Sequence, residues 1–135
     1  MVRKDSKYLR SELLSKESEK FAEELLEDKI KGKSMTSTQL RRYYGEVKNL
    51  ERQLISLKIN KEKKEEAWFS IEPMVKLLKA KASYDTREGK SSRLPDSFKN
   101  FIHSAVNSIE TEDDFKAFLK FFEACVGYYS AIAPK

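Results

Sequence analysis

The sequence predicts an all-α protein, a compact bundle of about five helices. Three observations predict it. Apolar residues recur at spacings of 3 and 4 along five stretches, which sets them on one face of a 3.6-residue helix, and no stretch alternates with a period of 2 for long enough to make a strand. Only 4 Gly and 3 Pro occur in 135 residues, too few for the tight turns of a sandwich or barrel. The apolar fraction of 39%, including 8 Phe, 6 Tyr and 1 Trp, can still fill a core although 36% of residues are charged. That charged share exceeds the roughly 25% of an average domain. One helical domain over 1–135 is expected, with residues 1–15 a loosely attached N-terminal segment and 85–94 a loop.

The first helix is expected from about Ser6 to Lys31, carried by Leu9, Leu13, Leu14, Phe21, Leu25, Leu26 and Ile30. Ser15 to Ser18 can break it in two, and Gly32 after Lys29 and Lys31 reads as its stop. The second opens at Thr36. Thr36-Ser37-Thr38-Gln39 has the spacing of a capping box, in which the hydroxyl accepts from the N3 amide and Gln39 reaches back. Leu40, Tyr43, Tyr44, Val47, Leu50, Leu54 and Leu57 form its apolar stripe. Gly45 weakens it locally by about 1 kcal/mol.

A third helix holds Trp68, Phe69, Ile71, Val75, Leu77, Leu78, Ala80, Ala82 and Tyr84. Pro73 either sits in its first turn or kinks it. The joint before it, Lys58 to Ala67, contains no Gly or Pro. Ile59 and Asn60 are the expected turn. The alternative is one continuous helix from about Ser37 to Ser70, roughly 50 Å long at 1.5 Å per residue. Such a rod would bury both ends by exchanging helices in a domain-swapped homodimer.

Polar residues 85–94 form the clearest loop. After Pro95 a fourth helix carries Phe98, Phe101, Ile102, Ala105, Val106 and Ile109. A fifth starts at Thr111, with Glu112, Asp113 and Asp114 in a first turn that favours negative charge. Phe115, Phe118, Leu119, Phe122, Val126 and Tyr129 are its buried stripe.

The net charge of +5 is uneven. Residues 31–66 carry +5 and 67–100 carry +3, between ends of −1 and −2. A basic middle hints at a polyanionic partner. Arg41, Lys48 and Arg52 are separated by 7 and 4 and share one stripe of the second helix; Arg42 and Lys58 lie on the same helix. Lys76, Lys79 and Lys81 follow on the third, and Arg87, Lys90 and Arg93 in the loop. If these elements are neighbours they make a groove-sized positive surface that binds phosphates without reading sequence. The plain alternative is that these residues solubilise the helices. Tyr43, Tyr44 and Tyr84 can stack on bases, but are expected in the core.

No run of about 18 apolar residues is present, so no membrane span is expected. MVRKDSKYLR has no apolar core of a secretory signal, and the chain reads as cytoplasmic. A single Cys125 and a single His103 exclude a disulfide framework and a cysteine-rich zinc site. Cys125 reads as a small core residue and His103 as a partly buried helix residue. Glu23/Glu24 and Glu65/Glu66 read as solvated helix faces. There is no nucleophile–base constellation and no glycine-rich phosphate loop, so neither catalysis nor a cofactor is expected.

Thr36-Ser37-Thr38-Gln39-Leu40-Arg41-Arg42-Tyr43-Tyr44-Gly45-Glu46-Val47 resembles the opening of the small helical subunit of type III-A CRISPR effector complexes. Leu77 to Tyr84 followed by Arg87, Phe98 to Ile109, and Asp114 to Tyr129 resemble that family's later helices in order. The likeness covers about residues 16–132. The long Lys/Glu connection between helices two and three departs from the pattern, as does Ser83 where small apolar residues are common. The resemblance implies a non-catalytic subunit that stacks with other subunits and faces guide RNA and target RNA. By position it implies RNA contacts at Arg41, Lys48, Arg52, Lys79, Lys81 and Arg87, and more weakly at Arg42 and Lys58. The grip would be on the backbone, because pairing with the guide already reads sequence.

Overall fold

A computed structural model describes residues 13–60, 64–90 and 93–135. A π-helical turn, Leu13–Glu17, leads into α1, Ser18–Glu27. Then come α2, Ser37–Asn60; α3, Lys64–Asp85; α4, Asp96–Ser108; and α5, Glu112–Ile132. The expected all-α bundle is what forms, with helices where the 3.6-residue pattern placed them. The N-terminal part of the first expected helix, with Leu9, lies outside the described residues.

The first helix ends at Glu27, short of the expected Lys31. Its next residue, Asp28, turns out of the helix, and the carboxylate accepts the Ser97 amide at 2.9 Å. An acid is thereby bound to the N-terminus of α4, where the helix dipole favours it. The chain then makes a tight turn: Ile30 and Lys33 exchange both backbone hydrogen bonds, at 2.9 and 3.0 Å. Lys31 and Gly32 occupy its corner at φ 54° and 79°, a left-handed pair that glycine accepts readily and lysine does not. Gly32 thus serves this turn instead of stopping a helix.

The capping box at α2 forms as the sequence predicts. The Gln39 amide donates to Thr36 Oγ1 at 3.1 Å, and the Thr36 amide donates to Gln39 Oε1 at 2.8 Å. Ile59 and Asn60 remain helical, so the chain does not turn at the expected pair. Residues 61–63, which follow, lie outside the described residues. α2 and α3 pack antiparallel: the Tyr43 hydroxyl donates to the Asp85 carboxylate and Glu46 lies 3.7 Å from Lys81, while Leu50 and Leu78 line the same seam. Pro73 lies inside α3 and not in its first turn. It is tolerated because it sits on the exposed face, where water can satisfy the carbonyl that its missing N–H leaves free.

α5 is the spine of the core. Phe115, Phe118, Leu119, Phe122, Cys125 and Tyr129 are buried along one face. Trp68 packs on Phe115, Tyr44 on Phe122 and Phe101 on Phe118. Tyr43 packs edge-on against Phe98 from the other side of α2. Thr111 caps α5 in a full capping box with Asp114. The Tyr129 hydroxyl donates to the Met35 carbonyl, which holds the entry of α2 against the end of α5.

α4 closes the bundle beside α3. Lys76 Nζ donates to the Val106 and Ile109 carbonyls at 3.3 and 2.7 Å, so a cation caps the last turn of α4. Arg93 and Leu94, which precede α4, are tied back to the end of α3. Leu94 donates to the Asp85 carbonyl at 2.9 Å and Arg93 Nε to the Thr86 carbonyl at 2.7 Å.

Candidate nucleic-acid interface

The basic residues singled out from the sequence do not converge on one spot. α2 is flanked by α5 on one edge and α3 on the other, and its outer face separates them. Arg41, Lys48 and Arg52 do share a stripe, on the α5 side. Arg41 Nε donates to Ser130 Oγ of α5 at 3.3 Å. Lys48 pairs with Glu51 at 2.6 Å, and this hydrogen bond raises its pKa. Arg52 is exposed with no partner among the described residues.

Arg42 and Lys81 lie on the other edge. They line a groove of about 500 Å³ along the α2–α3 seam, with Glu46, Asn49 and Leu50. Lys81 is 3.2 Å from Asp85, 3.7 Å from Glu46 and 5.1 Å from the centre of the Tyr43 ring. Arg42 is exposed and unpaired among the described residues. Lys79 points away from this seam, to α4, where it donates to Asn107 Oδ1 at 2.7 Å. Lys58 sits at the far end of α2, half-buried in an ion pair with Glu112. Burial alone would raise the Glu112 pKa, but Lys58 and Lys116 hold it below the usual carboxylate range.

Arg87 lies 4.4 Å over the Tyr84 ring and lowers the phenol's pKa by its hydrogen bond and charge. Tyr84 is 57% exposed, which corrects its expected place in the core. Tyr43 is buried, and Tyr44 is half-buried against Phe122. Desolvation raises the pKa of both.

α3 also carries an apolar face that none of the described residues covers. Phe69 is 66% and Leu77 65% exposed; with Pro73, Ala80 and Tyr84 they recur every three or four residues along the solvent side. Sequence periodicity could not separate this stripe from the buried one through Trp68, Ile71, Val75, Leu78 and Ala82. Both obey helical spacing, and their union surrounds most of the helix.

His103 is half-buried as expected: Nε2 is 2.9 Å from Ser83 Oγ and 3.2 Å from the Lys79 carbonyl. Cys125 is buried in the core, and desolvation pushes its thiol up to about 12. Among the described residues no three His, Cys, Asp or Glu side chains gather into a metal site. None of their helices is long and apolar enough to cross a membrane. The arrangement offers cations, exposed aromatic and aliphatic surface, and hydrogen-bond donors.

The Csm2 type III-A family matches residues 9–135. No curated protein and no solved structure matches the chain. The match spans nearly the whole sequence and includes all five helices, so this chain belongs to the Csm2 type III-A family, the small subunit of type III-A CRISPR effectors, which assembles with the other subunits of that complex.

Proposed function

We propose that this chain is a non-catalytic subunit that holds guide RNA and target RNA by their phosphates, in the cytoplasm, as part of the effector. The observation that carries the reading is the outer face of α2. Three arginines flank it, Arg41 and Arg52 toward α5 and Arg42 toward α3; all stand exposed, and no carboxylate engages any of them among the described residues. Arginines used only for internal ion pairs would be matched by acids. Arg41, Lys48 and Arg52 are the first contacts, with Arg42 and Lys81 beside them. Lys79, Arg87 and Lys58 are secondary, since Lys79 turns to α4, Arg87 lies over Tyr84 and Lys58 is half-buried against Glu112 at the far end of α2. Binding to single-stranded RNA should weaken steeply with salt, by a logarithmic slope of roughly 0.7 per phosphate contacted. Replacing Arg41, Lys48 and Arg52 together by Glu should abolish binding while helical circular dichroism stays unchanged. Unaltered affinity in that variant refutes the assignment.

The exposed stripe of α3 supports a second part of the reading, in which the chain is also a protein-binding wall. Phe69 and Leu77 are the surface through which it docks on neighbouring subunits and, in isolation, forms a homodimer. Exposed apolar faces of this kind mark interaction sites. Light scattering should give twice 15.7 kDa at high concentration, and Leu77→Ser should return the monomer. If the dimer instead arises by exchange of helices across the joint, Gly-Gly inserted after Asn60 shifts it to monomer and Leu77→Ser does not. A mass of one chain at all concentrations rules out both.

A further inference from the structure

Two segments distant in sequence enclose a cleft of about 580 Å³. One wall is the Ile30–Lys33 turn and the entry to α2; the other is residues 88–90 with Arg93 and Pro95. Four cations line it, Lys31, Lys33, Lys90 and Arg93, against a single acid, Glu88. The four are not equivalent. Arg93 is fixed by the Thr86 carbonyl at 2.7 Å and by Asp96 at 3.3 Å. Lys90 stands 3.9 Å from Asp85. Lys31 and Lys33 are exposed and have no partner among the described residues. Their backbone is nevertheless fixed, by the paired hydrogen bonds of Ile30 and Lys33 and by the left-handed corner at Lys31–Gly32.

We infer that this cleft binds phosphate groups, those of a single RNA strand. The physical reason is the imbalance of charge in a concave place. Unpaired Lys31 and Lys33 on one wall face Lys90 and Arg93 on the other, whose charge Asp85 and Asp96 partly meet; Glu88 is the one carboxylate in the lining, and an anion bound there would be held from both walls. The capping box already occupies the Thr36 and Gln39 amides, so the cleft's attraction comes from its side chains. It also leads somewhere. Gln39 and Lys90 border both this cleft and the next hollow, whose lining includes Arg42 and Lys81 together with Glu46 and Asp85. A strand with one phosphate at Lys31 and Lys33 is therefore directed onto the α2–α3 seam. The inference rests on the RNA-binding reading above, and its test separates the two.

The test uses the full chain, a ten-nucleotide oligouridylate with either a 5′-hydroxyl or a 5′-phosphate, and inorganic phosphate. Lys31→Glu with Lys33→Glu should weaken binding of the 5′-hydroxyl strand at least tenfold. The salt slope should flatten by about 1.4, as expected for two lost contacts to a single strand. Both lysines are exposed, so circular dichroism should not change; Lys→Gln at the same positions gives a smaller loss of the same kind. Lys20→Glu with Lys120→Glu alters net charge equally on exposed α1 and α5 positions and should cost less than threefold. Glu88→Gln should tighten binding severalfold. Equal losses for the two strands identify internal phosphodiesters as the ligand, whereas loss confined to the 5′-phosphate strand identifies a strand end. If the Arg41/Lys48/Arg52 variant loses binding and the Lys31/Lys33 variant keeps both affinity and slope, the cleft is overturned and the RNA reading stands. If the unaltered chain binds no strand, the RNA part fails. Inorganic phosphate must then still shift the Lys31–Lys33 amide resonances, and their silence overturns the cleft as well.

Discussion

α3 and α5 are nearly equal in length, 22 and 21 residues, and both are rich in apolar residues, yet they do opposite work. α5 presents its large side chains to the bundle: Phe115, Phe118, Phe122 and Tyr129 are buried. α3 divides its own between two sides. Trp68, Ile71, Val75 and Leu78 face inward, while Phe69 and Leu77 face water. The difference shows that apolar content alone does not locate a core. A helix with one apolar face is anchored by its own chain. A helix with two has one face left for something else, here the face proposed above to dock on neighbours.

The largest effect that should sharpen this contrast is Phe122→Ala. Removing a fully buried ring from beneath Tyr44 and Phe101 should cost about 3–5 kcal/mol, read by urea denaturation. Leu77→Ala removes a side chain that is 65% exposed and should change monomer stability by less than about 0.5 kcal/mol. It should still weaken self-association and entry into the complex. Comparable losses from the two variants would erase the distinction between the helices.

Next in size is the cap of α5. Thr111→Ala breaks the capping box with Asp114 and should cost about 1 kcal/mol. The turn it holds also positions Glu112 against Lys58 of α2. No equivalent loss is expected for Thr38→Ala, because Thr36 and Gln39 do the capping at α2.

The smallest effect is electrostatic. The folded-state pKa of Glu112 lies below its ordinary value, so the ionised form favours folding. Its contribution is complete above the ordinary carboxylate pKa and fades as pH falls through the lowered one. Lys58→Met should therefore flatten the acid limb of a stability-against-pH curve below about pH 4.5. It should leave the RNA salt slope nearly unchanged, since Lys58 is engaged with Glu112. A large drop in that slope would promote Lys58 to a direct RNA contact.

Local rules sufficed for much of this molecule. The 3.6-residue spacing marked the five helices. Thr36 with Gln39, and Thr111 with its acidic first turn, marked two helix starts, because a cap is set by residues within one turn of each other. Cys125 and Phe122 could be assigned to the core from neighbours on the same face. Arg41, Lys48 and Arg52 could be placed on one stripe because helix geometry alone puts them there. The early end of α1 could not be read, since Asp28 leaves the helix to meet Ser97, 69 residues away. Ile59 and Asn60, the expected turn, are helical: residues 58–67 are nearly all good helix formers and propensity does not choose among them.

What the sequence by itself determined is the class of the fold, the order and approximate limits of its helices, the basic middle of the chain, and a likeness to a family of small subunits. What only the tertiary structure decided is which surfaces those charges share. Arg42 and Lys81 meet across a seam, Lys79 turns to another helix, and Lys31, Lys33, Lys90 and Arg93 surround one cleft although some 60 residues separate its walls. Periodicity fixes the direction of a side chain relative to its own helix axis. It carries no information on which helix stands beside it, because that depends on how all the apolar faces together exclude water.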